Sequence, residues 1–523
     1  MDKTATSETA AISETAATSE TAAGAEAEGD KAPGLERRLT QLDATMLVVG
    51  SMIGSGIFLT SAESARLVGA PGWLLVAWGL AGLLTITGAL CVAELAAMMP
   101  KAGGPYVFLR EAYSPGVGFL YGWSQFLIIQ TGTIAAVAVA FANFLGVLAP
   151  QVSGTNYLVE PVVFGRYALS LSTQQLVALL VIALLTFTNT RGLALGKLIQ
   201  NSFTFAKTGA LAALVVLGLA AGWNAGGAAF TSAWWDSAAN GWTAEAAQPG
   251  LGAAGALAFL MILGRAMTGP LFSQSAWDNV TFAGGEVEEP GRSLPRALVV
   301  GCALVVGLYL LANLAYVVTL PLEAIQKAPQ NRVATLVVEQ VLGPGGAALM
   351  AGLIMVSTFG CNNGLILAGA RVSYAMARDR LFFAPLAATN SRHVPARALA
   401  AQGLWACLLV LPRTVTRDAK TGAPAYGNVY TQLLEYIVSV DLVFAALSVL
   451  AVFVLRRRAP AAERPYRTWG YPLVPAVFLT LSTLLIINLV FIAPDTSGLG
   501  YLLALTGVPV YLAWRRRARR RGE

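Results

Sequence analysis

Histidine is nearly absent from this 523-residue chain, which has only His393. A single imidazole excludes a multi-histidine metal centre and argues against a histidine-based catalytic triad. Charge is scarce as well. Asp, Glu, Lys and Arg make up 12% of the residues, against roughly 25% in soluble domains. The four cysteines, Cys91, Cys302, Cys361 and Cys407, all fall in or beside apolar runs. They read as small buried residues, not as disulfide partners. The chain has no Walker A sequence, no HExxH and no nucleophile elbow. It is therefore not expected to be an enzyme, and no catalytic residue, cofactor or metal is assigned. A clustered basic face on a soluble fold, which nucleic acid would require, is missing too. Residues 1–39 are poor in bulky apolar side chains, and "SETAA" recurs there at 7, 13 and 19. That composition predicts a disordered tail. Its polar, acidic start does not resemble a cleavable signal peptide.

What the chain does have is long apolar runs. It is 56% hydrophobic, with a mean hydropathy of +0.63. Candidate spans lie near 40–68, 73–98, 116–147, 174–190, 198–222, 255–283, 297–320, 344–372, 396–412, 430–455, 470–492 and 498–514. Each approaches the roughly 20 residues needed to cross a bilayer. A transmembrane β-barrel would instead show alternating segments of about ten residues. The fold class expected is an all-α polytopic membrane protein of about twelve helices. Lys and Arg concentrate in alternate loops, including Arg292 and Arg296, Arg456–Arg458 and the tail "RRRARRR" at 515–521. The loop 223–254 has neither. This asymmetry places both termini in the cytoplasm of a plasma (inner) membrane protein. The net charge of +7 then reflects contact with anionic lipid.

The first span contains "VVGSMIGSGIF" (48–58), with glycine at 50, 54 and 56. Glycine costs roughly 1 kcal/mol against alanine inside a helix. A small-xxx-small stripe for helix packing accounts for Gly50 and Gly54. It does not account for Ser51, Ser55 and Gly56, which spread around the helix. Such a segment can unwind where its freed backbone groups line a cavity, and the half-helix ends then hold ions. A second interruption comes in the sixth span, "LGRAMTGPLFSQSAWDNVTF" (263–282). There Gly269–Pro270 precedes Ser273, Gln274 and Ser275. Proline removes a helical N–H and is expected to break the helix at that point. Two breaks five helices apart suggest an inverted repeat around a binding site.

"GSMIGSGIF" resembles the first-helix motif of the amino acid–polyamine–organocation transporter superfamily. It is most similar to the branch holding the L-type amino acid transporters and related bacterial permeases. "AELAAMMPKAGGPYVFLREAYSP" (93–115), "QNSFTFAK" (200–207), "AWDNVTFAGGEVEEPGRSLPRAL" (276–298), "STFGCNNG" (357–364) and "RPYRTWGYP" (464–472) resemble later motifs of that branch, in the same order. The resemblance covers roughly 40–515. It implies a LeuT-like five-plus-five inverted repeat with helices 1 and 6 broken at mid-membrane. The halves would be 40–222 and 255–455, joined by an extracellular loop at 223–254. Two more helices would lie in 456–514, before a basic tail at 515–523.

By resemblance, the backbone at Ser55, Gly56 and Ile57 holds a substrate α-carboxylate. Carbonyls near Ile53 and Gly54, with those of Phe272, Ser273 and Gln274, hold its α-amino group. Gln274, Ser275, Ala276 and Trp277 shape the side-chain pocket. The L-type pattern has an aromatic gate where this chain has Gln274, and a glycine pair where it has Ser275 and Ala276. Lys207 lies about ten residues into its span, roughly 15 Å from either interface. A lysine at that depth is costly and functional by default. By resemblance it stands in for a coupling sodium, bridging Gly50 and Ser51 to Ser357 in the eighth helix.

Depth alone suggests a further pairing. Arg265 and Asp441 each lie about ten residues in from the outer side, so Arg265 is expected to form an outer gate with Asp441, or with Glu435. Glu94, Gln130 and Thr131 read as structural polar residues. The function expected is sodium-independent secondary transport of amino acids, by proton symport or exchange. A membrane receptor or scaffold that binds an amino acid without moving it, or a polyamine or organic-cation exchanger, are the alternatives.

Overall fold

A computed structural model describes residues 37–520, apart from 38, 102, 166, 192, 225–231, 393, 418–423 and 428. The SETAA tail, Arg166, His393 and Lys420 lie outside the described residues.

Thr40 opens the first helix with a reciprocal cap. Its Oγ1 accepts from the Asp43 amide at 3.2 Å, and Asp43 accepts from the Thr40 amide at 3.0 Å. Helix α1 (Gln41–Met52) then runs into the glycine-serine stretch and stops, and α2 (Gly56–Val68) begins after a bend of 40°. Gly69 ends α2 at φ +66°, a conformation that costs a glycine nothing.

The chain continues through α3 (Pro71–Met98), the short α4 (Pro105–Ala112), α5 (Pro115–Leu148), α6 (Thr173–Asn189) and α7 (Leu193–Asn224). Next come α8 (Gly255–Ser273), the single turn α9 (Asn279–Phe282), α10 (Pro290–Thr319), α11 (Val333–Leu342), α12 (Pro344–Arg378) and α13 (Ala396–Val410). The last helices are α14 (Val429–Arg458), α15 (Leu473–Ile492), α16 (Pro494–Leu505) and α17 (Gly507–Arg520). Among the described residues nine helices are long and apolar enough to cross a membrane, or ten if α1 and α2 count as one bent span. The expected spans 174–190 and 396–412 fall on α6 and α13, of only 17 and 15 residues.

Helix α10 packs on α3, α7 and α1, and α12 packs on α5 and α7. Small residues set these distances. Gly360 of α12 lies against Phe203, and Gly369 against Gln130.

Two expectations are refined. At Pro270 the helix is not stopped but interrupted by one turn residue, Met267, between Gly255–Ala266 and Thr268–Ser273. The carbonyl that Pro270 leaves without a donor, that of Ala266, accepts from Ser64 Oγ of α2 at 2.8 Å. Helical structure resumes as far as Ser273 and fails over 274–278, where Ala276 takes φ +64°. Nor is the fold entirely helical. Strands β1 (Tyr157–Phe164) and β2 (Tyr167–Ser172) form a hairpin. β2 pairs antiparallel with β3 (Pro412–Arg417), which pairs with β4 (Pro424–Tyr426). This four-stranded sheet joins the loop before α6 to the loop after α13.

Carboxylate–arginine pairs tie several helices together. Glu94 accepts from Arg456 Nε and Nη2 at 2.9 and 2.6 Å, and from the Thr468 amide and hydroxyl at 2.7 and 2.8 Å. Arg371 is bidentate to Glu286 at 2.6 and 3.0 Å. The Tyr106 hydroxyl donates to Asp379 at 2.6 Å; burial and the Asp379 carboxylate push its pKa up. Gln130 and Thr131 donate to the backbone carbonyls of Leu365 and Phe126.

Candidate functional site

A helix leaves its last carbonyls without amide partners, and α1 ends in the middle of the protein. Each exposed acceptor there is met by a side chain from another helix. Lys207 of α7 donates to Gly50 O. Cys361 Sγ of α12 reaches Ser51 O at 3.2 Å, and Tyr309 of α10 donates to Met52 O at 2.9 Å. Ser357 of α12 reaches the carbonyls of Ile53 and Gly54 at 3.4 and 3.5 Å. Lys207 and Ser357 thus meet the same half-helix end, on carbonyls three to four residues apart. Lys207 is 1% exposed, so its ammonium has left water for this one acceptor cluster.

The first turn of α2 presents the amides of Gly56 and Ile57, which have no intrahelical partner by position. Ser55 precedes them and shares a hydrogen bond of 3.1 Å with the Tyr430 hydroxyl of α14. The space beside Gly56 is filled by protein. A Cβ there would lie 2.7 Å from Ser273 Cα, and closer still to the Ser273 side chain. The missing side chain of Gly56 therefore lets α2 and α8 touch, a different use of glycine from ligand approach. Thr60 and Ser273 hydroxyls close this contact at 3.2 Å.

The segment after Ser273 lines an inner cavity with α3, α14 and α15. Gln274, Ser275, Ala276 and Trp277 all face it. Phe272 turns away and packs edge-on against Tyr430, centroids 6.0 Å apart. The carbonyl of Phe272 is already taken by Ser275, from its amide at 3.1 Å and its hydroxyl at 2.7 Å.

Arg265 lines a separate, second cavity with Glu63, Asn331 and Glu435. It pairs with Glu435 at 3.2 Å and also donates to Gln248. Asp441 is elsewhere, in the wall of the inner cavity. The reason is helical geometry. Six residues beyond Glu435 lie about 9 Å deeper and on a different face of α14.

Sequence reasoning missed Asp278, which faces the inner cavity beside Trp277, and the carbonyl-capping Tyr309 and Cys361. It also missed Tyr316, whose hydroxyl reaches Ile57 O at 3.3 Å, and Asn313, which accepts from Ser61 at 2.7 Å. A polar atom recurring along 302–316 was the available signal.

The end of α1 is thus capped from three neighbouring helices, and α2 touches a second interrupted helix at Ser273. Residues 39–514 match the amino acid permease family. The chain belongs to that family. The permease is 28% identical to the serine/threonine exchanger SteT of Bacillus subtilis over 487 residues, which is 92% of this chain and 98% of that protein. It is 30% identical to the large neutral amino acids transporter small subunit 2 of Mus musculus over 490 residues, 93% of this chain and 83% of the relative. It is 27% identical to the human Asc-type amino acid transporter 1 over 477 residues, 91% and 82% respectively. These relatives are transporters and exchangers, not enzymes. The permease is accordingly a multi-pass membrane protein of amino acid transport.

Proposed function

We propose that this permease is a secondary active transporter that moves amino acids by alternating access without sodium, as a proton symporter or an exchanger. One observation carries the reading. The interruptions at 53–55 and 274–278 lie in helices that meet at Gly56 and Ser273. Residues 40–222 and 255–455 are the two halves of a LeuT-like repeat in this proposal, with 223–254 outside and two further helices in 456–514. The twelve spans then leave the tail before 40 and the basic tail at 515–523 in the cytoplasm of the plasma (inner) membrane.

Gly56 and Ile57 amides offer the substrate carboxylate a half-helix N-terminus. Gln274, Ser275, Ala276 and Trp277 surround the rest of the ligand. The Arg265–Glu435 pair closes the outer side. Lys207 supplies a fixed positive charge at the α1 carbonyls, where a carrier driven by sodium needs an ion, and Ser357 completes the seat.

The test is uptake into proteoliposomes, with sodium replaced by choline. Uptake is expected to be unchanged, and Lys207→Ala is expected to lose most of it. A strong sodium requirement in the intact protein would overturn the coupling role of Lys207. Absence of uptake for every amino acid would overturn transport itself.

A further inference from the structure

Exposed apolar side chains gather on the β1–β2 hairpin. Leu158, Val159, Val162, Val163 and Phe164 of β1 are 46–60% exposed, and Leu169 of β2 is 48% exposed. Successive strand residues point to opposite faces. The neighbours Val162 and Val163 therefore put apolar surface on both sides of β1. Among the described residues of 157–172, Glu160 alone is charged. A continuous apolar patch of this kind marks an interaction surface.

Two observations say where the hairpin lies. β2 runs straight into α6 at Ser172–Thr173, and only Leu411 separates α13 from β3. At 1.5 Å per residue α6 is about 25 Å long and α13 about 22 Å, less than the roughly 30 Å of a bilayer's hydrocarbon core. Arg191, just past the far end of α6, belongs at the opposite interface. Both helices thus end within reach of the bilayer, and the sheet starts at its interface. In addition, Leu176, Leu180, Leu184 and Phe187 form one exposed stripe along α6. In a membrane protein that stripe faces lipid, and it leads up to the hairpin. Tyr157, Tyr167 and Tyr426 stand in the sheet, and tyrosine is enriched at membrane–water interfaces. The edge of β1 does not suit a partner strand. Pro161 and Glu160 lie in mid-strand, and the pairing register shifts between Tyr157 and Val159 and again between Val159 and Val162. Proline, charge and bulges keep an edge from pairing. A protein docked on one face would also leave the apolar side chains of the other face bare, whereas lipid covers both.

We propose that the β1–β2 hairpin is a lipid-binding surface, lying in the interfacial layer of the leaflet on the sheet side with Val162, Val163 and Phe164 among the acyl chains. Interfacial elements sink their apolar side chains about 5–10 Å past the headgroup boundary. An open sheet edge is not tolerated in the hydrocarbon core, so the free backbone groups of β1 stay at headgroup level, where water meets them. β2 is bonded on both sides, to β1 and to β3, and sits deeper without leaving its backbone bare. The pairing with β3 ties the lipid contact to the ends of both α6 and α13. This surface stands apart from the transport site and does not depend on what the permease carries.

The experiment uses the full chain, carrying Cys407→Ser, in phosphatidylcholine vesicles, with a bimane fluorophore on Phe164→Cys. Cys91, Cys302 and Cys361 are buried and stay unlabelled. Leu180→Cys on the α6 stripe is the lipid reference. Lys327→Cys is the water reference, since the Lys327 side chain is 76% exposed. Two quenchers are compared, iodide in the water and phosphatidylcholine with a nitroxide near the headgroup end of its acyl chain. The label at 164 is expected to be quenched by the lipid nitroxide at least as strongly as the label at 180, and by iodide several-fold less than the label at 327. Val159→Cys is a second site on the same strand and is expected to agree, so the result does not hang on one variant. Iodide quenching of both hairpin labels at the level of 327 overturns the proposal, because the hairpin is then in water. Shielding of both from iodide and from the lipid nitroxide overturns it too, and assigns the surface to a second copy of this chain.

Discussion

Gly56→Ala isolates the contact on which the two interrupted helices meet. The new methyl would lie 2.7 Å from Ser273 Cα, where ordinary contact starts near 3.4 Å, so α2 and α8 must part by about 0.7 Å. Ser273 cannot simply rotate away. Its hydroxyl donates to Gly269 O at 2.7 Å and pairs with Thr60 at 3.2 Å, and the Cα clash is independent of its rotamer. Overpacking of this kind costs about 1–3 kcal/mol. Gly79→Ala is the control, because a methyl there meets nothing within 4 Å. Melting in nanodiscs and initial uptake rates in proteoliposomes read the effect. Gly56→Ala is expected to lower the melting temperature and cut uptake about tenfold or more, the scale set by 1.4 kcal/mol per decade. Adding Ser273→Gly removes the side-chain part of the clash and should restore a fraction of both. If Gly56→Ala matches Gly79→Ala in melting and in uptake, the close α2–α8 contact is not a feature of the working protein.

Arg265→Glu is expected to abolish uptake, and Arg265→Glu with Glu435→Arg to recover part of it. Rescue by Asp441→Arg instead would contradict the pairing described here. Glu94→Gln removes the charge and one of the two acceptor oxygens that meet Arg456 and Thr468. It should cost about 3 kcal/mol, seen as a lower melting temperature, while uptake per folded molecule changes little. A melting temperature equal to wild type would show that the α3–α14 tie carries no stability.

The spans were legible because a bilayer imposes a length and an apolar composition on every crossing helix. The stop at 53–55 was legible because glycine and serine accumulate there without a single packing face. The interruption at Pro270 is softened for a tertiary reason. Its missing donor is replaced by Ser64, about 200 positions away in the chain, and no local rule supplies that. Asp441 was placed by depth alone, which ignores the helical rotation separating it from Glu435. Tyr309 and Cys361 cap carbonyls, yet within an apolar run each looks like ordinary packing. The hairpin at 157–172 did leave a trace. Valine-rich and leucine-rich runs flank Gly165–Arg166, a recognised turn pattern, and it was passed over because the surrounding signal was helical.

The sheet also sets a timetable for biosynthesis. β2 and β3 pair through Leu169 and Pro412, positions separated by nearly half of the chain. At about 5–20 residues per second, the β1–β2 hairpin waits on the order of 10–50 s for β3. Throughout that interval one strand edge is unpaired, and such an edge is a template for joining a foreign strand. α7, α8, α10 and α12 must all be made before the edge is covered. The late step in maturation of this permease is therefore a backbone ladder between two loops, formed outside the helical bundle and after most of that bundle has been synthesised.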